Sequence, residues 1–520
     1  MPGIITHKFR LNNATQFFES FTEAANINTR YYMFLAKAHG WSDDASPPVP
    51  SDTILGSDYN VWRNMIAAKR VTPSDATFVV ARHDWTSGQV YTPYSDSNAS
   101  LYTSAFFVVT NDFNVYKCID NNNGALSTVK PTSTGTSIIT TSDGYRWKFM
   151  YNISPADVLK FTTTNFIPVK KLTSDDGSLQ FNVQDAASNG SIDYIDVTSA
   201  GSNYLYAAGN FSNVDSSTIV KLTSASTVDA SYVGSTIYIS TGTGSGQLRE
   251  IVGYQGNINK ATVNAAFSPI PTTGSSYIIG PKVTITGDGR DALAYANVAL
   301  PALASATTGN SVNEVIMINT GSNYSKYAVT ISANSSHGSS ANAAGSVAPY
   351  GGHGSNPVSE LGATDVLLNV RMTGTESGTF VTNNDFRIVG LVSDPVLFSG
   401  AQANSTVYDM TTKFTVTGKT GVFSSDEMIT NANGAAARFI SFANTNASGT
   451  QGIVSVTGLD GKFTVSETIT GNTSTQTAVV SSINNRDLRD FVGEVLYIEN
   501  RTPVSRAADQ TEDIKLIVRF

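Results

Sequence analysis

The chain has 520 residues, only 14% of them charged, and a formal net charge of −8. Ser, Thr, Asn and Gly fill the space left by charge, which is the composition of stacked β-structure and excludes a helical bundle or a disordered chain. The acidic balance excludes an electrostatic nucleic-acid binder, because phosphate contacts demand a basic face, and no 18-residue apolar run is present to insert into a membrane.

The first ten residues lack the apolar run of a secretory signal, and Cys118 alone can form neither an internal disulfide nor a zinc site. Folding in a reducing cytosol is expected. All four tryptophans, Trp41, Trp62, Trp85 and Trp147, lie before residue 150. In that third, Asn12-Asn13 followed by Ala14 to Ala25 predicts a helix, with Phe17 and Phe21 four apart on one face. A second helix is predicted over Asp58–Lys69, where Val61, Trp62, Met65 and Ile66 follow the 3.6-residue period. Strands are predicted at Tyr31–Leu35, Ser104–Val109 and Arg146–Tyr151, and loops at Pro47–Pro50 and Asp120–Gly124. The segment reads as α+β with an aromatic core.

From Ser174 to about Asn485 the texture changes to short β-branched runs broken by Gly, Asn, Ser or Asp, with no helix signal, as in sandwiches, barrels or solenoids. Internal repeats support that reading. Val416-Thr-Gly-Lys-Thr-Gly-Val-Phe-Ser-Ser-Asp-Glu-Met-Ile-Thr430 recurs 40 residues on, from Val456 to Thr470, with eight of fifteen positions identical. Gly201-Ser-Asn-Tyr204 recurs as Gly321-Ser-Asn-Tyr324. The end returns to the early texture, and its closing strand alternates Ile514, Leu516, Val518 and Phe520 on one face with Lys515, Ile517 and Arg519 on the other. Such a strand must dock, and the simplest arrangement pairs it with the N-terminal region. The expected fold class is mainly β: a discontinuous α+β base domain of residues 1–173 and 486–520, plus all-β sandwich or hairpin-repeat modules at 174–300, 301–400 and 401–485.

No catalytic constellation emerges, so no catalytic, cofactor-binding or metal-ligating residue is assigned and the chain is not expected to be an enzyme. The five histidines form neither His-Glu-x-x-His nor His-x-His. His83-Asp84-Trp85 reads as a structural polar cluster, and His353 as part of a tight connection between modules. Ser240-Thr-Gly-Thr-Gly-Ser-Gly246 lacks a phosphate-loop ending and reads as a hairpin turn. Glu427 and Glu467 occupy equivalent places in the 40-residue repeat, which points to a repeated structural role such as accepting turn N–H bonds.

The two ends together carry Lys8-Phe-Arg10, Pro47-Pro-Val-Pro-Ser-Asp-Thr-Ile-Leu-Gly56, Val61-Trp62, Arg82-His-Asp-Trp85, Pro93-Tyr94, Val115-Tyr-Lys-Cys-Ile119 and Ser142-Asp-Gly-Tyr-Arg-Trp147. They then carry Gly493-Glu-Val-Leu-Tyr-Ile-Glu-Asn-Arg501, Pro503 and Asp509-Gln-Thr-Glu-Asp-Ile514. In order and spacing these segments resemble the dimeric baseplate wedge subunit, the eighth wedge component, of contractile-tailed myovirus phages. The resemblance covers residues 1–172 and 486–520; the central residues do not share it.

That resemblance implies a structural virion protein of the tail baseplate, assembled in the host cytoplasm, that forms a homodimer and bridges neighbouring wedge and fibre-anchoring proteins. No cofactor, nucleic acid or membrane insertion is implied. The positions that carry the resemblance and serve as interface or scaffold candidates are Phe9, Arg10, Trp62, Arg82, Asp84, Trp85, Tyr145, Trp147, Glu494, Tyr497, Glu499, Asn500, Arg501, Asp509 and Gln510. Trp62 and Trp147 among them are read as core before contact. The alternative is a receptor-binding spike or fibre, in which Tyr204, Tyr232, Tyr254, Tyr324 and Tyr350 would stack on host glycans; the architectural reading of the central modules is preferred.

Overall fold

A computed structural model describes residues 3–23, 29–37, 39–53, 56–298, 310–333 and 337–520. The fold is mainly β, as expected, and divides into two compact units. The first comprises residues 1–80, 159–168 and 363–520, and the second comprises 81–158 and 169–362.

The first unit is built on two sheets. In the five-stranded one, Tyr31–Ala36 is buried at every position and lies between Met65–Arg70 and Asn384–Ser393, with Val407–Asp409 and Glu494–Arg506 as the edges. The four-stranded sheet runs Thr511–Arg519, Asp365–Thr373, Ala76–Ala81, Phe166–Val169. The closing strand therefore docks on Asp365–Thr373, through nine paired positions from Asp365–Arg519 to Thr373–Thr511. The N-terminal Ala76–Ala81 flanks Asp365–Thr373 on its other side instead of touching the closing strand directly. Asp365–Thr373 and Asn384–Ser393, which the sequence pattern places in an inserted module, thus form central strands of the base. Their continuous apolar runs are those of strands covered on both faces.

Both predicted helices shift. The first spans His7–Ser20, because Thr6 and not Asn13 caps it, its hydroxyl accepting the Phe9 N–H at 3.2 Å. Its aromatic face holds, with Phe18 on Phe78 and Phe17 on Phe520. Ala24 and Ala25 lie outside the described residues. The second helix stops at Asn64, and Met65 and Ile66 enter the strand paired with Tyr31–Ala36. Burying that run between two strands outweighs its helical period.

The 40-residue repeat closes into a six-stranded barrel. Its halves are Thr412–Thr417, Met428–Asn431, Ala436–Asn444 and Gly452–Asp460, Thr468–Gly471, Thr477–Asn484, and exchanging the halves leaves the strand order unchanged. Glu427 accepts the N–H of Ser424, Thr473 and Ser474, and Glu467 accepts that of Thr464, so the repeated carboxylates fasten turns.

The second unit contains a sheet of Phe107–Val109, Asn114–Asp120, Arg146–Asn152 and Ile139–Thr140, whose core is Val108, Tyr116, Cys118, Tyr145, Trp147 and Phe149. A helix at Leu179–Asp185, capped by Ser178, packs against it; the sequence pattern shows no helix there. Beside it the Gly-Ser-Asn-Tyr echo marks a duplicated three-strand module. One half is Ile195–Ser202, Val283–Gly287 and Arg290–Val298; the other is Val312–Ser322, Tyr327–Ile331 and Ser339–Gly345. The third strand of each half pairs with the first strand of the other. In both halves the glycine (Gly201, Gly321) and the asparagine (Asn203, Asn323) have positive φ, and Tyr204 and Tyr324 are buried. A second six-stranded barrel, Ala207–Gly280, is inserted in the first half. It is also duplicated at an offset of about 40 residues, and Gly242–Gly246 forms a hairpin turn in it as expected.

Candidate assembly interface

Seven of the sequence-derived candidates lie on the rim of the first unit. Glu494–Arg506 is an edge strand, and its register against Asn384–Ser393 shifts twice. Such irregularities, together with Pro503, blunt an edge against indiscriminate strand pairing. Part of the strand is lined by the Trp41–Pro50 segment: Trp41 Nε1 donates to the Arg501 carbonyl at 2.8 Å, and Asn500 Nδ2 donates to the Pro48 carbonyl at 2.9 Å. Glu499 receives the Tyr497 hydroxyl at 3.1 Å and lies 3.4 Å from Arg501 Nε. Burial, then the Glu499 charge, pushes the Tyr497 phenol up to about 12. Glu494, Arg501 and Asp509 are exposed. Gln510 fastens a turn, its carbonyl accepting the Gly374 N–H at 2.7 Å and its side chain the Ala507 N–H at 3.2 Å.

A cleft of about 650 Å3 opens beside this rim, lined among others by Asn383, Arg387, Asp426, Ser505, Arg506 and Gln510. The charges around it are mutually engaged. Lys37, buried, bridges Asp385 and Asp426, and Arg387 bridges Asp385 and Asp44. Burial alone would raise the Asp385 carboxyl, but Lys37 and then Arg387 hold it below the usual carboxylate range. This ionic cluster joins the repeat barrel, through Asp426, to the base sheet. Sequence reading missed it because Lys37 is more than 300 positions from Asp385 and Asp426 and none of the three carries a local motif.

The other candidates are dispersed. Phe9 and Arg10 are exposed on the first helix, whereas Trp62 is buried in the core of the five-stranded sheet, as expected. In the second unit, Arg82 and Asp84 pair at 3.0 Å, Trp85 Nε1 donates to Ser127 Oγ at 3.1 Å, and His83 sits edge-on to Phe107, a polar cluster of the expected structural kind. Tyr145 and Trp147 are fully buried and stacked at 5.4 Å, so Tyr145 is a core residue and presents no contact surface. Tyr204, Tyr232, Tyr254 and Tyr324 are buried too, which removes four of the five rings offered for sugar stacking; Tyr350 is 94% exposed.

Beneath the Pro349–Glu360 loop lies a second ionic group. Lys117 and Glu360, both buried, form an ion pair, and Glu360 also accepts the N–H of Gly354 and Asn356. His353 is buried, 3.6 Å from Asp193 and edge-on to Tyr94 at 4.8 Å. Burial, then Lys117 and Lys148, drive its pKa well below the usual histidine value, so the ring is neutral. The charges here balance as pairs, an arrangement suited to holding a loop and not to proton transfer.

The comparisons with known proteins fall on the two ends. The family model described as Phage-Gp8, Bacteriophage T4 Gp8, matches residues 3–130 and 422–520, so it begins within the repeat barrel at its C-terminal part. Every sequence-derived candidate except Tyr145 and Trp147 lies in these segments. The baseplate wedge protein gp8 of Enterobacteria phage T4 is 25% identical, over 32% of this chain and 60% of that protein's length.

Proposed function

We infer that this chain, whose two ends are those of a baseplate wedge protein of a contractile-tailed phage, is a structural subunit of the virion's tail baseplate that pairs with a second copy and bridges neighbouring wedge and fibre-anchoring proteins. The observation that carries the reading is the stitching of residues 3–80 and 422–520, both within the matched segments, into one unit. Trp41 and Pro48 bond to Arg501 and Asn500, and Tyr31–Ala36 shares a sheet with Glu494–Arg506. Segments that the family model matches at the two ends therefore converge on one rim, as an assembly face requires, and residues 363–409 complete the base between them. The reading includes no catalysis. The edge strand leaves Glu494, Leu496, Arg501, Thr502 and Ser505 exposed, a mixed apolar and polar surface of the kind found at protein contacts.

Light scattering on the purified chain tests the pairing. Two copies of 55.1 kDa give a particle of about 110 kDa, the closed twofold expected. A particle of about 165 kDa, three copies, would instead indicate a fibre or spike, and a monomer up to high concentration would remove self-pairing from the proposal.

A further inference from the structure

The Pro349–Glu360 loop lies outside the segments shared with the wedge family, and it combines a rigid foundation with a fully exposed ring. Gly352 N–H donates to the Pro349 carbonyl at 2.7 Å and Gly351 has φ +88°, which makes Pro349–Gly352 a type II turn with Tyr350 at its second position. The turn is tied down on each side. Gly351 N–H donates to Asn189 Oδ1 at 2.8 Å, and His353 is buried against Tyr94 and Asp193. Past it, the Glu360 carboxylate, paired with Lys117, binds the N–H of Gly354 and Asn356. Buried ion pairs stabilise little over apolar replacements, and their best-attested use is to select one arrangement. The arrangement selected here presents one phenol ring to solvent.

We propose that Tyr350 is a preorganised anchor that inserts into an apolar pocket of another protein of the same assembly. This rests on the reading of the chain as an assembly subunit. A rigid aromatic knob carries much of the energy of a protein contact because little entropy is lost on docking. The flanking Gly351 and Gly352 carry no side chains that could surround a sugar, whereas they leave the ring free to enter a concavity. From Gly345 to Ser359 the buried His353 is the only ionisable side chain besides Tyr350, so the loop itself brings no charge to the contact and the surface that matches it is an uncharged one. Knob and pocket are different surfaces, so the contact is heterologous.

The test places p-benzoylphenylalanine at position 350 of the full chain, supplies it to cells assembling the virion, and irradiates both the purified chain and finished tails. Cross-linking in tails to one other tail protein, at an uncharged concave surface, is expected. In competition with the wild-type chain during assembly, Tyr350→Ala should enter tails about tenfold less well and Tyr350→Phe within about threefold, both with an unchanged melting temperature. A chain present in tails but not cross-linked at position 350, cross-linked only to a second copy, or cross-linked only when host polysaccharide is added overturns the anchor while leaving the baseplate role intact. A chain absent from tails overturns the role itself.

Discussion

Lys117 is fully buried, where burial pulls its ammonium pKa down and Glu360 opposes the change. Removing one partner strands the other charge, so Lys117→Met should cost about 3–5 kcal/mol in denaturant unfolding. The double change Lys117→Met with Glu360→Gln should recover much of it; equal losses from the single and double changes would show that the pair is not the cause. Asp385 gives a pH signature. Its folded pKa lies below the unfolded value of about 3.9, so its pairing with Lys37 stabilises the fold fully above that value. That contribution is lost as pH falls through the lower, folded value. Melting temperature against pH should therefore drop less steeply below about pH 4 in Asp385→Asn than in the wild type, and an unchanged acid limb would exclude the pair as a contributor. At this scale the sequence was informative about type and silent about partner. Trp62 and Trp147 were legible as core because a large aromatic on the apolar face of a helix or a strand seldom stays exposed. His353 was legible only as a turn residue, since its burial depends on Asp193 and Tyr94, far away in the chain.

Elements were legible where their signal was local. Arg146–Tyr151 and Tyr31–Leu35 alternate or run apolar between turn residues, and both are strands. The helix boundaries were misread because capping depends on one hydroxyl, Thr6, ahead of a weakly amphipathic stretch. The barrel at 412–484 announced itself through near-identical halves, while the barrel at 207–280 keeps only scattered matches such as Gly234-Ser235 and Gly274-Ser275, too few to stand out. The Gly-Ser-Asn-Tyr echo permits a direct test of duplication. A Cβ at Gly201 would lie 2.4 Å from the Ser339 carbonyl oxygen, one at Gly321 would lie 2.6 Å from that of Arg290, and both glycines have positive φ. Gly201→Ala and Gly321→Ala should each destabilise the second unit by more than about 1 kcal/mol in denaturant unfolding. A neutral effect at one site only would mean that the halves do not share the turn.

For the whole molecule, a mainly β fold followed from composition and turn spacing and is what the structure shows, while the resemblance of both ends to a wedge protein lay in their motifs and agrees with the comparisons. What stayed hidden was closure. Nothing local distinguishes strands that form an open sandwich from strands that close a barrel, and nothing in Asp365–Thr373 or Asn384–Ser393 says that they belong with residues hundreds of positions away. The order in which the chain is made gives that long-range pairing a further meaning. Apart from residues 159–168, the second unit is one continuous stretch from residue 81 to residue 362, able to close while synthesis continues. Both base sheets, in contrast, take a strand from residues 494–519. The base sheets therefore close only after those residues have been made, and a chain lacking them would carry finished barrels and an unfinished base, so that the last strands decide when the first ones are buried.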